Sequence, residues 1–179
     1  MKDILPHQAV PFDLVLAAEA NVIKNLDKAN NHFNLNLSFD GVKFFRKSKT
    51  AGYVIPGRDN IVYLNIDLFK ANFAHFINDT IPHEVAHLFA HHFNAKLKKK
   101  EGIHGSTWKA IMSKIYRIKA KRCHEFDLSG IDLPKSKFKY ICLCKKHFVG
   151  DIIHNKIEKG SRYECQKCKS NLTFLSKND

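Results

Sequence analysis

His83 and His87, with Glu84 beside the first, form the constellation in this 179-residue chain whose types and spacing could do chemistry. They lie in Ile81-Pro82-His83-Glu84-Val85-Ala86-His87, where the two histidines are about one helical turn apart, so both imidazoles leave one face of a helix. That geometry supplies two of the three protein ligands of a catalytic zinc ion. A carboxylate next to the first histidine can reach the activated water as general base. Pro82 suits a helix start, since the amide hydrogen it lacks would be unpaired there. Leu88, Phe89 and Ala90 continue an apolar face, and Phe73, Phe76 and Ile77 precede it at helical spacing.

A catalytic zinc wants a third protein ligand and an open fourth position. His91 is eight residues beyond His83, roughly 12 Å along a helix axis. One ion about 2 Å from each nitrogen cannot span that, so His91 reads as a surface or substrate-side group. The elongated HExxHxxGxxH pattern also fails, because Ala90 and Phe93 stand at its glycine and histidine positions. His104, in His104-Gly105-Ser106-Thr107-Trp108, opens another apolar-periodic run containing Trp108, Ile111, Met112 and Ile115. It can reach the first helix from across the basic loop Lys96–Glu101, or it can be a capping histidine; residue pattern alone leaves both readings open.

A second cluster lies near the C-terminus. Cys165-x-x-Cys168 is half of a zinc ribbon, and a partner pair about twenty residues upstream is the expected spacing. Upstream stand Cys142, Cys144 and His147, so either Cys142 or His147 joins Cys144, Cys165 and Cys168. The four-cysteine set is the favoured of the two. A site with all four positions filled by protein is structural. Cys123 stands apart as an ordinary thiol.

These groups need elements to position them. Phe12–His32 reads as a helix with an apolar stripe through Leu14, Leu16, Ala17, Val22, Ile23 and Leu26. Leu35, Leu37 and Phe39 then alternate with polar residues, and Asp40-Gly41 marks a turn before Val42–Phe45. Gly52–Ile55 and Asn60–Asn65, joined by the Pro56-Gly57 turn, complete an expected small antiparallel sheet. A strand beside the histidine helix can offer its edge to an extended peptide. The reading is α+β, with a catalytic domain over 1–133 and a basic tail over 134–179.

IPHEVAHLFA, then HGSTW, then KRCHEFD, followed by a cysteine-bearing tail, resembles the SprT family of metallopeptidase-like proteins, which includes the eukaryotic protease Spartan. The resemblance runs over nearly the whole chain. It implies a zincin-like helical metallopeptidase domain with a zinc-ribbon-like tail. By that resemblance His83, His87 and His104 bind the catalytic zinc, Glu84 is the catalytic acid, and the substrates are proteins crosslinked to DNA. His124, in the family-like KRCHEF segment, is a candidate oxyanion stabiliser.

Composition narrows the partners. Hydrophobic residues make up 44%, with 14 Phe, enough for a packed core. The net charge is +13, yet residues 1–95 balance nine basic against nine acidic groups, so the excess belongs to 96–179. Such asymmetry points to an anionic partner, DNA and single-stranded DNA in particular; lysines in the tail can neutralise phosphates while Phe138, Tyr140, Phe148 and Tyr163 either stack on bases or form the ribbon's core. A membrane partner is not expected. No apolar leader or membrane-length stretch is visible, and five cysteines suit metal binding in a reducing compartment, so the expected location is cytoplasmic.

Overall fold

Phe12–Phe33 form α1, whose buried residues Val15, Ala18, Val22, Leu26 and Ala29 recur at three- and four-residue intervals and face the core. Asn34 ends it in the left-handed conformation, with φ 49°. The computed structural model describes residues 3–57, 60–129, 131–133 and 138–177. They divide into two compact units, Met1–Leu133 and Pro134–Asp179.

In the first unit, β1 (Asp3–Ile4), β2 (Gly41–Arg46), β3 (Gly52–Val54) and β4 (Ile61–Asn65) form one sheet in the order β1-β2-β4-β3. This sheet is mixed, which corrects the expected antiparallel arrangement: β2 and β4 pair in parallel, from Gly41 with Ile61 to Phe45 with Asn65. β3 turns back along the far side of β4, leaving the place beside β2 to β4 itself. β4 carries buried residues at Ile61, Val62, Leu64 and Asn65, the near-continuous pattern of a strand covered on both faces.

The alternating Leu35–Phe39 stretch joins no ladder. Both backbone groups of Leu37 are taken by the Asn30 amide, its Nδ2 donating to the Leu37 carbonyl and its Oδ1 accepting from the Leu37 N–H, each at 2.9 Å. The side chains still pack on the core. The local pattern was right about burial and wrong about pairing.

The histidine helix also starts earlier than Pro82 suggests. After α2 (Ile66–Ala71), α3 (Phe73–His75) runs through a wide π-type turn (Phe76–Thr80) into α4 (Ile81–Lys96). Pro82 has no N–H to continue an ordinary ladder, and the wide turn accommodates the missing bond. α5 (Ser106–Ala110) likewise passes into a π-type turn (Ile111–Tyr116). The core between α1, α4, α5 and the sheet includes Phe44, Leu64, Phe69, Phe76, Phe89, Trp108 and Met112.

In the second unit, β5 (Phe138–Ile141) lies between β6 (Lys146–Val149) and β7 (Thr173–Lys177), with both pairings antiparallel. A short helix, α6 (Asp151–Glu158), was not anticipated. Its Ile153 and Ile157 pack on Phe138, Tyr140 and Val149. Among the described residues no helix is long and apolar enough to cross a membrane.

Candidate active site and metal centres

α4 presents His83 and His87 on one face, and the segment leading into α5 brings His104 to them. One ligand nitrogen from each lies within 4.8 Å of the others, and the Nε2 atoms of His83 and His104 are 3.1 Å apart. Two nitrogens on a tetrahedral zinc stand about 3.3 Å apart, given bonds of about 2 Å. Trp108 packs against all three rings at centroid distances of 4.7, 5.5 and 4.6 Å. Its Nε1 donates to the His83 carbonyl at 3.3 Å, fixing the indole against α4.

Burial, and then the proximity of His104, pushes the His83 imidazole down to about 4. Burial, followed by His83 and His104, takes His87 to about 3. His104 is lowered by burial and by the Arg122 guanidinium. At neutral pH all three therefore offer lone pairs instead of protons, the state a metal needs. Among the described residues this group gathers no fourth histidine, cysteine or carboxylate.

Glu84 is 5% exposed, and its carboxylate points toward β3. A Cβ at Gly52 would stand 3.0 Å from both Glu84 Cγ and Oε1, and 3.1 Å from the Tyr63 carbonyl. Glycine at 52 thus lets the strand approach the carboxylate, a requirement invisible in the local sequence. Gly52→Ala is expected to shift the Glu84 carboxylate by a few tenths of an ångström, and any turnover that depends on its placement should fall, by at most about 100-fold. Zinc content should not change; kinetics alongside metal analysis check this.

The loop bearing His104 is clamped by Glu101. Its carboxylate accepts from Ser106 Oγ at 2.7 Å and from the Thr107 N–H at 2.9 Å, and these bonds hold its carboxyl below the usual range. A Cβ at Gly105 would meet Glu101 Oε2 at 2.5 Å, so glycine is needed for the clamp to close. Thr107 Oγ1 reaches Asn94 Oδ1 on α4 at 3.0 Å. His91 lines the same cleft but does not join the trio.

His124 also lines the cleft, but its ring holds backbone. Its Nδ1 faces the Phe126 N–H at 3.3 Å, and Nε2 is 2.8 Å from the Lys49 carbonyl. With Nδ1 accepting, Nε2 carries the proton, so both ring nitrogens are taken up by backbone. The cleft itself, about 1530 Å³, has the three histidines and Glu84 among its lining, with β3 as one wall. β3 is one of the two edge strands of its sheet.

In the second unit the sulfurs of Cys142, Cys144, Cys165 and Cys168 lie within 4.8 Å of one another. His147 remains outside that group, its Nε2 3.2 Å from the Cys142 sulfur. The geometry therefore gathers the four-cysteine set, with His147 supporting one member. The Cys168 and Lys167 backbone amides lower the Cys165 thiol, and Ser170 takes Cys168 down to about 6. Cys144, hydrogen-bonded first to the Cys142 thiol, is pushed up to about 12. Cys123 is exposed and lies outside the cluster.

The aromatic residues of the tail divide. Phe138 and Tyr140 are core, and Tyr140 OH bonds His154 Nδ1 at 2.9 Å. Phe148 is 57% exposed and pairs across the strands with Lys139. Lys135 and Lys137, two of the tail's lysines, lie outside the described residues.

The sequence profile of the SprT-like family matches residues 22–124, which include His83, Glu84, His87 and His104. The Protein SprT of Pasteurella multocida is 32% identical over 148 residues, covering 82% of this chain and 86% of its own. That of Glaesserella parasuis is 32% identical over 155 residues, covering 86% and 95%. That of Proteus mirabilis is 30% identical over 169 residues, covering 93% and 96%. No solved structure matches the chain. The profile spans more than half of the chain and these relatives nearly all of it: the protein belongs to the SprT-like family.

Proposed function

We propose that the chain is a zinc-dependent endopeptidase of zincin-like construction acting on DNA-associated proteins. The observation that carries the reading is a trio of converging imidazoles with no fourth protein ligand among the described residues, beside a buried carboxylate in an open cleft. Nitrogen donors at this spacing fit zinc. Zinc held there would supply the Lewis acidity that activates a water and polarises a scissile carbonyl.

The chain's own residues supply the remainder. Glu84 takes the proton from the attacking water and returns it to the departing amine. Gly52 lets β3 pack close against the Glu84 carboxylate. Trp108 and the Glu101 clamp hold the ligand rings. The β3 edge aligns an extended substrate by backbone pairing, as in other strand-addition complexes. The four cysteines hold a second, structural zinc that orders the tail.

DNA association rests on the charge excess of 96–179 and on the outer sheet face of the tail, where Lys139 lies beside Phe148 and Ile141 beside Lys146. Single-stranded DNA suits that combination of lysines and an exposed ring. Its affinity should fall steeply with salt, by about 0.7 log unit per log unit of salt for each neutralised phosphate. A titration at several salt concentrations checks this; a flat response would remove DNA from the proposal.

The test of function is cleavage of a basic DNA-binding protein by zinc-loaded chain, with and without single-stranded DNA, beside Glu84→Gln. Cleavage that needs Glu84 and is raised by DNA supports the reading. DNA binding with no cleavage of any protein would leave a zinc-stabilised nucleic-acid-binding protein.

A further inference from the structure

The cleft has a charge pattern that the hydrolytic residues do not require. Lys49, Lys98, Lys99, Lys100, Lys119 and Arg122 line it, and among the described residues none of them has a carboxylate within ion-pairing distance. The acidic residues that share the lining are already engaged. Glu101 is taken by Ser106 and Thr107, Glu125 stands 3.6 Å from Lys121, and Asp79 stands 3.9 Å from His75. Glu84 is buried against Gly52. Seven cations, Lys121 included, thus share the lining with four carboxylates, an excess of three positive charges, and a dication in the histidine site would deepen the positive potential.

An anionic occupant follows, and the cleft wall selects its class. β3, an edge strand, offers a peptide backbone a ladder to extend. The aromatic rings in the lining are already stacked: Tyr53 lies on Tyr63 at 4.5 Å and 3°, and Phe126 packs between Phe76 and His124 at 5.5 and 4.4 Å. Among the described residues these rings already have a face covered, which leaves less platform for the bases of a single strand. Resting on the peptidase reading, we propose that the cleft recognises acidic polypeptide segments, with Asp and Glu flanking the scissile bond held by the Lys98–Lys100 and Lys119–Arg122 sides of the rim. The substrate protein is then engaged through an acidic stretch and not through the basic surface with which it holds DNA.

The test measures binding separately from catalysis. Full-length, zinc-loaded Glu84→Gln protein is titrated against two fluorescein-labelled peptides of equal length, one with Glu flanking a central apolar dipeptide and one with Lys at those positions. The acidic peptide should bind at least about tenfold more tightly at low salt, the advantage shrinking as salt screens the rim. Lys98→Glu/Lys99→Glu/Lys100→Glu should abolish that preference. Lys28→Glu/Lys114→Glu/Arg117→Glu, the same charge change in a separate basic pocket, should leave it in place; circular dichroism confirms that both variants fold. Equal binding of the two peptides overturns the proposal. So does a rim variant that loses affinity for a single-stranded oligonucleotide while its peptide preference persists, since the rim would then serve nucleic acid. If the acidic peptide binds through the rim yet protein carrying Glu84 cuts neither peptide, the acidic-segment site stands and the peptidase reading fails.

Discussion

Glu84→Gln is expected to lower the turnover of any peptide substrate by about 10²- to 10⁴-fold, the usual contribution of a positioned general acid–base group. The substitution keeps the shape of the side chain and removes only its ability to accept and return a proton. Glu84 lies on the α4 turn that carries His83, but it is not part of the histidine cluster. Zinc should therefore remain bound, and the loss should appear in kcat with KM little altered. Initial rates measured beside zinc content decide the matter. Parallel loss of zinc would mean that the carboxylate holds the metal, and unchanged turnover would remove Glu84 from the chemistry.

Loss of the tail cluster should have the largest structural effect. Residues 138–177 bury only Phe138, Tyr140, Val149 and the Cys165 side chain, with Ile153, Ile157 and Leu172 partly covered. A core of that size does not hold a fold of about 40 residues unaided, and such units usually need metal or disulfides. Structural zinc supplies apparent binding energies of about 10–16 kcal/mol in comparable small modules. Cys165→Ser, which alters the buried member of the cluster, is expected to lower zinc stoichiometry from two to one and to remove hydrogen-exchange protection across 138–177. The first unit should keep its protection. Trp108 is the sole tryptophan and packs on the histidine trio, so its emission reports on the first unit alone and should not change. Retained protection throughout the tail would show that its hydrophobic residues suffice.

The parts of the site that could be read from sequence are those encoded locally. His83, Glu84 and His87 are neighbours on one helix, and their type and spacing state their geometry before any fold is known. The Cys165-x-x-Cys168 turn is legible for the same reason. His104 needed family resemblance as well, because its approach depends on a loop whose closure rests on Glu101 and Gly105. The contact between Gly52 and Glu84 could not be foreseen, since it joins a strand to a helix thirty-two residues away. Sheet topology failed similarly. Alternation marks a half-buried extended segment but does not name its partner, so the parallel β2–β4 pair was missed. The Leu35–Phe39 segment shows how one side chain can override the pattern, because Asn30 occupies the groups that a ladder would use. Tyr140, open between base stacking and ribbon core in the sequence, is core, whereas α6 was missed although Ile153 and Ile157 stand four apart, because its eight residues are few and none is fully buried.

The central claim is that this chain hydrolyses peptide bonds through Glu84 beside a metal held by His83, His87 and His104. Its most direct test is mass spectrometry of a mixed peptide library incubated with fully zinc-loaded protein in heavy-oxygen water, beside the Glu84→Gln and zinc-stripped forms. New peptide C-termini carrying one heavy oxygen are expected from the loaded protein and from neither control. The absence of new termini with both zinc sites filled, or the same termini from Glu84→Gln, would contradict it.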